Sequence, residues 1–276
     1  MRIFDKVAIV GTGLIGGSLG LAIKNNKLAS KVVGVSRHKS SWLEARKKGA
    51  IDKGSETLNI INDADLLILA TPVNTIISLA PKISKIINKN CIVMDVGSSK
   101  EEIVSRLSRV FPNYVGAHPL AGSEKRGIAF ASSNLFNGSL CIITPDKNTR
   151  KSALFKIRKL WSGVGARTIE AAPSTHDKIM AFVSHLPHAA SFALMNSVPK
   201  VFLRFAASGL KDTTRISASE PELWADIFMS NDKNILCALG LLEDNLKQIK
   251  FAIKTGNRNA LVKILEKAKT KRKELK

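Results

Sequence analysis

Gly11, Gly13 and Gly16 in "VAIVGTGLIGGSLG" stand at the spacing G-x-G-x-x-G, after an apolar run and before a helical pattern. That context fits a loop that binds a pyrophosphate. The first glycine permits the tight turn, the second lets the backbone approach the phosphates, and the third lets helix and strand pack closely. Leu14 and Ile15 lie between the last two, opening a helix whose free N–H groups would face the anion. An acidic residue is expected about 20 residues further on, to accept the ribose 2′-hydroxyl of NAD. Ser36 stands there instead, followed by Arg37, His38 and Lys39. A carboxylate would repel a 2′-phosphate, whereas hydroxyl and cationic donors would hold one, a charge-assisted bond contributing about 1.5–3 kcal/mol. Ser36, Arg37 and Lys39 therefore point to NADP. The competing reading makes Arg37 and Lys39 ordinary surface charges of a basic chain. Thr71 and Pro72, which close "DLLILATP", are assigned to the same cofactor site.

A second group of residues has the types needed for proton transfer and anion binding. "DVGSSK" (95–100) and "GAHPLAGSEKRG" (116–127) each follow an apolar run, so they fall at strand ends, where a nucleotide-binding sheet opens its crevice. His118 suits a general base, because an ordinary histidine titrates near neutrality, at about 6.5. Ser98 in "GSSK" serves equally well as a helix N-cap. Lys100 either reaches a carboxylate or compensates phosphate charge. Arg215, in "GLKDTTRIS", offers a planar fork suited to a carboxylate, unless it pairs with nearby Asp212. In "STHDKIMAFVSHLPH", Asp177, Ala181, Ser184, His185 and His188 recur on about one helical face. Pro187 is expected to bend that helix. His188 is as compatible with a structural role as with a site.

The elements that must position these residues are legible as two grammars. Through residue 171, seven apolar, β-branched runs alternate with helical patterns: "KVAIVG", "KVVGVS", "DLLILATP", "CIVMDVGS", "NYVGAHP", "SLCIITP" and "ARTIEAA". Continuous apolar strands separated by helices predict an α/β Rossmann-like domain, with a mostly parallel sheet covered on both faces. After that no strand pattern returns. Ser174 and Asp177 suggest a capping-box-like helix start, and helices are predicted around 201–208, 221–229 and 233–254. Gly256 is a stop signal and Asn257 a cap for a last helix. The predicted division is a nucleotide-binding domain at 1–171 and an all-helical domain at 172–276.

Charge and composition narrow the function classes. The chain has 276 residues and a formal net charge of +21, with 45 % hydrophobic residues. The basic residues are spread along the chain and concentrate only at 263–276, without an RNA-recognition, zinc-finger or aromatic-interleaved basic motif. A basic nucleic-acid-binding module on a Rossmann core is thus the distant alternative, and no nucleic-acid partner is expected. The longest apolar stretch, 7–23, is interrupted by five glycines and is short for a membrane span. No signal peptide is visible, and the three cysteines, Cys91, Cys141 and Cys237, form no CxxC pattern. A cytoplasmic location without membrane attachment is expected.

In order along nearly the whole chain, the glycine loop, "GAHPLAG", "SHLPH" and "KDTTR" resemble the prephenate/arogenate dehydrogenase family of tyrosine biosynthesis. The "GVSRHKS" segment is most similar to the NADP-dependent arogenate dehydrogenases of cyanobacterial type. The resemblance implies oxidative decarboxylation of a cyclohexadienol. A base takes the 4-hydroxyl proton, C4 gives hydride to the nicotinamide, and the ring carboxylate leaves as carbon dioxide, with no metal. It implies His118 as the catalytic base. Ser98 would orient that histidine and contact the substrate hydroxyl or nicotinamide, and Arg215 would hold the side-chain carboxylate. His185 falls near the substrate, and Glu124 and Asp212 fall in an active-site ionic network. The implied substrate is arogenate, which gives tyrosine; the alternative is prephenate, which gives 4-hydroxyphenylpyruvate. A homodimer built by the helical domain is implied as well.

Overall fold

A computed structural model describes residues 2–122 and 125–275. Its eight-stranded sheet runs in the order β3-β2-β1-β4-β5-β6-β7-β8. The strands are β1 (Phe4–Val10), β2 (Ala29–Val35), β3 (Lys53–Ser55), β4 (Leu66–Leu69), β5 (Ile92–Asp95), β6 (Tyr114–Pro119), β7 (Leu140–Thr144) and β8 (Arg167–Glu170). β1 to β6 are mutually parallel. β7 runs antiparallel to β6, and β8 is parallel to β7. The sheet is therefore mostly parallel, as the sequence predicts. The unanticipated strand is β3, three residues "KGS" at the sheet edge. It is too short and too polar to register as a strand pattern.

The helices joining these strands are α1 (Leu14–Asn25), α2 (Lys39–Lys47), α3 (Val73–Ile83), α4 (Glu101–Val110) and α5 (Lys151–Gly163). Strand alternation sends successive side chains to opposite faces, and both faces are covered. In β1, Val7 and Ile9 join a core with Leu19 and Ile23 of α1 and Leu160 and Trp161 of α5. Ala8 and Val10 join a second core with Ile76 and Ile83 of α3 and Ile103 and Leu107 of α4. Each fully buried side chain of this size contributes roughly 1.5–3 kcal/mol, which fixes the strand register.

The chain separates into two compact units, residues 1–231 and 232–276. The first includes α6 (Pro173–Met180), a π-helical turn (Ala181–His185), α7 (Leu186–Ser197), α8 (Ser208–Thr214) and α9 (Pro221–Ser230). Short 3₁₀ turns occupy Lys200–Phe205 and Arg215–Ala218. The π turn stands immediately ahead of Pro187, whose ring would collide with the Val183 carbonyl in an unbroken α-helix. The second unit contains α10 (Asp232–Lys254) and α11 (Arg258–Lys273). Gly256 breaks the chain with φ +64°, and Asn257 Oδ1 accepts the Ala260 N–H at 3.0 Å, so that stop and cap form as read.

The expected capping box at Ser174 does not form. α6 starts at Pro173 behind Ala172, without a side-chain cap. The Asp177 carboxylate turns instead to a different helix. It accepts the N–H groups of Lys100 at 2.7 Å and Glu101 at 2.8 Å and so caps α4. Among the described residues, no helix is long and apolar enough to cross a membrane.

Candidate functional site

The glycine loop joins β1 to α1. Gly11 has φ +97°, and a Cβ there would lie 2.5 Å from the Ala70 carbonyl oxygen. A Cβ on Gly16 would lie 1.9 Å from the Gly11 carbonyl oxygen, so strand and helix meet there as no larger residue would allow. Gly13 differs: nothing lies within 4 Å of its would-be Cβ, which leaves open space over the loop. α1 begins behind Gly13 without a side-chain cap and without an acid in its first turn. Its first N–H groups therefore remain available to an external anion. These features fit a dinucleotide pyrophosphate.

At the end of β2, the Ser36 hydroxyl lies 2.5 Å from that of Thr12, which ties the strand end to the glycine loop. Arg37 is exposed, as is Lys39, which opens α2. No carboxylate occupies 36–39, and this local set suits a phosphate better than a ribose diol.

A cleft of about 720 Å³ opens at the ends of β1, β4, β5 and β6. Ten expected residues line it: Gly13, Leu14, Ile15, Thr71, Pro72, Ser98, His118, His185, His188 and Arg215. They come from six separate segments, which the parallel sheet and the helices after it bring to one place. Gly11 and Gly16 shape the loop without lining the cleft. Asp212 is exposed and outside the lining. Glu124 lies outside the described residues.

His118, near the end of β6, is the centre of a chain of polar contacts. Its Nδ1 lies 2.8 Å from Nε2 of His176, and Nδ1 of His176 lies 2.7 Å from Oδ1 of Asp177. Burial, then the neighbouring His176, Lys100 and His185, hold the pKa of His118 well below the ordinary 6.5. The ring is thus a neutral base at physiological pH. His185, in the π turn, is pushed down to about 4, mainly by burial, and its Nδ1 lies 3.2 Å from Nδ2 of Asn231. His188 donates from Nδ1 to the Ser184 carbonyl at 2.9 Å and stacks on Trp224, with ring centroids 3.5 Å apart. Both the structural and the site reading of His188 thus have a counterpart, because its ring is fixed by packing and still faces the cleft. Arg126 and Glu220 form an ion pair of 2.7 Å on the cleft wall.

Two expectations need correction. Lys100 does not line the cleft. Its side chain is 0 % exposed and its Nζ pairs with Asp95, which also accepts from Tyr114 Oη at 2.6 Å and from the Gly97 N–H at 2.7 Å. Ser98 is not the N-cap of α4, a position held by Lys100. Ser98 lines the cleft together with His118, whose Nδ1 contacts His176. His176, Trp224 and Asn231 escaped the sequence reading. The one signal for His176 was its place beside Asp177 in "STHD"; no motif marks the other two.

Comparison with known proteins follows this geometry. The family model "Prephenate dehydrogenase, nucleotide-binding domain" matches residues 19–170, and "Prephenate dehydrogenase, dimerization domain" matches 172–267. The chain is 36% identical over 244 residues to the prephenate dehydrogenase of Bacillus subtilis, a match that covers 84% of this chain and 66% of that protein. The chain thus spans about two thirds of that relative's length. Among solved structures, the prephenate dehydrogenase of Aquifex aeolicus, in complex with hydroxyphenyl propionate and NAD+, superposes with a TM-score of 0.92 at 34% identity. That match covers 99% of this chain and 98% of that one. The arogenate dehydrogenase of Synechocystis superposes with a TM-score of 0.83 at 28% identity, covering 98% and 99% of the two chains.

Proposed function

The chain belongs to the prephenate dehydrogenase family of oxidoreductases, and from that premise we propose that it oxidatively decarboxylates arogenate to tyrosine with NADP. The observation that carries the reading is the convergence of the glycine loop, His118 and Arg215 on one cleft. When bound, NADP supplies a hydride acceptor. Gly13, Leu14, Ile15, Thr71 and Pro72 hold its body, and Ser36, Arg37 and Lys39 hold its 2′-phosphate. His118 removes the proton of the substrate's ring hydroxyl, which it can do because its ring is neutral at physiological pH. Arg215 grips the side-chain carboxylate in a two-pronged contact. Ser98, His185 and His188 contribute to the substrate wall. Apolar residues such as Val96, Leu120, Ile216 and Leu223 supply an apolar wall beside the reacting ring. Aromatisation drives the loss of the ring carboxylate, so no protein acid is required for that step.

Arogenate is favoured over prephenate by Asp226, a cleft carboxylate of a type that would attract the substrate's ammonium group, whereas Glu220 is already paired with Arg126. The second reading, prephenate turned into 4-hydroxyphenylpyruvate, draws support from the names of the Bacillus and Aquifex relatives. Initial rates with arogenate and prephenate, each with NADP and NAD, separate the readings. Arogenate with NADP is expected to be fastest. A preference for prephenate or NAD reverses that half of the proposal, and no turnover in all four mixtures overturns the whole.

The proposal extends to organisation. Residues 1–171 carry the cofactor, and 172–276 complete the substrate site and build a homodimer. Val201, Phe202 and Phe205, exposed by 61%, 56% and 70%, supply apolar surface for that contact. Sedimentation at micromolar concentration is expected to give twice the chain mass; the monomer mass would exclude the dimer. Free thiols at Cys91, Cys141 and Cys237 suit a reducing cytoplasm.

A further inference from the structure

We propose that Asp177 and His176 act as positioning residues that force the His118 proton onto Nδ1 and leave Nε2 as the basic nitrogen. The inference rests on the reading of His118 as the base, and it follows from donor and acceptor chemistry. Asp177 accepts the Lys100 N–H on Oδ1 and the Glu101 N–H on Oδ2, at the positive end of α4. A carboxylate can only accept. The His176 Nδ1, 2.7 Å from Oδ1, must therefore donate and carry the proton.

A neutral His176 then has only a lone pair on Nε2. The His118 Nδ1, 2.8 Å away, must in turn donate to it. The rings stand edge-on with centroids 5.0 Å apart, a separation that fits a near-linear bond between two ring nitrogens. His118 is left with its lone pair on Nε2. When that nitrogen takes the substrate's hydroxyl proton, the imidazolium keeps its Nδ1–H bond to His176. No proton moves along the chain.

The surroundings hold the relay in place. Lys100 faces the same ring but is neutralised by Asp95, and His185 approaches from the π turn. Burial keeps the His176 pKa below the ordinary value, which preserves the acceptor on its Nε2. Asn231 Nδ2 donates to the Asp177 carbonyl at 2.8 Å and also meets His185 Nδ1, so α6 and the π turn are fixed together. The line from the α4 N-terminus to the cleft thus sets one tautomer at the reacting end.

The test reads the tautomer directly. The chain has five histidines, few enough to assign after ¹⁵N-histidine labelling by removing each in turn. Long-range ¹H–¹⁵N spectra of the wild-type protein near pH 7.5 are expected to show His118 protonated on Nδ1 and bare on Nε2. A wild-type signal for Nε2–H overturns the inference, whether or not the enzyme turns over arogenate. His176→Phe keeps an aromatic ring and removes the acceptor. It is expected to shift His118 toward Nε2–H and lower kcat about 10–100-fold, within the range of base catalysis, while the NADP Kd changes less than about twofold. His176→Gln places an amide oxygen near the lost Nε2 and should recover part of kcat. An unchanged tautomer and kcat in the phenylalanine variant would overturn the relay alone. Absence of wild-type turnover would overturn the proposed function, and the spectrum would still decide the tautomer.

Discussion

Replacing Lys100 by methionine separates a structural role from a binding role at a position where the sequence suggested binding. The side chains of Lys100 and Asp95 are both 0 % exposed, so the substitution leaves a carboxylate buried without its counter-charge. Removing one member of a buried pair costs about 3–5 kcal/mol. Asp95 keeps two donors, Tyr114 Oη at 2.6 Å and the Gly97 N–H at 2.7 Å. Those bonds place the expectation at the lower end, about 3 kcal/mol. At about 2–4 °C per kcal/mol for a chain of this order, melting should fall by about 6–12 °C. Urea and thermal unfolding measure the loss. Adding Asp95→Asn removes the stranded charge, keeps an oxygen for the Gly97 N–H and turns an amide N–H donor to the Tyr114 hydroxyl oxygen, so the double variant should recover about half of it. Substrate KM at 25 °C should be unchanged in Lys100→Met. A variant within about 1 kcal/mol of wild type, with a raised KM, would refute this reasoning and return Lys100 to the substrate.

Three further outcomes are expected. Arg37→Ala should weaken NADP by about 10–100-fold, from a lost charge-assisted bond, and leave NAD nearly unaffected; titration with both cofactors checks it, and equal losses would make the stretch mere basic surface. Gly13→Ala should fold normally, since its Cβ meets nothing within 4 Å, yet bind cofactor less well, whereas Gly16→Ala should fail to fold or melt far lower. Because the His118 pKa is depressed, the free base persists as pH falls, so kcat/KM should stay level through pH 6.5 and drop only well below it. A midpoint at or above 6.5 would contradict the burial of the ring.

The parts of the fold legible in the sequence are those set by local pattern. Val7–Val10 of β1 and all of β4 are continuous apolar runs because both sheet faces are covered. The Gly256 stop and Asn257 cap are decided within four residues. Parts set by distant partners were not legible. Asp177 looked like a cap for its own helix, because nothing within 76 positions of Glu101 signals that their backbone and carboxylate meet. Lys100 looked like a ligand contact, because burial of an ammonium depends on Asp95 being buried beside it. The cleft followed from strand-end residues, whereas Trp224 reached it only through the packing of α9. The partner of His118 was hidden for the same reason, 58 positions away in sequence.

The central claim is that this cleft performs a dehydrogenation with His118 as its base. The most direct measurement is kcat for His118→Asn with arogenate and NADP, alongside NADP binding to the same protein. Asparagine retains polarity and size but takes no proton near neutrality. The account predicts loss of about 10²–10⁴-fold in kcat, the range for general base catalysis, with NADP affinity nearly unchanged. A kcat within a few-fold of wild type would contradict it.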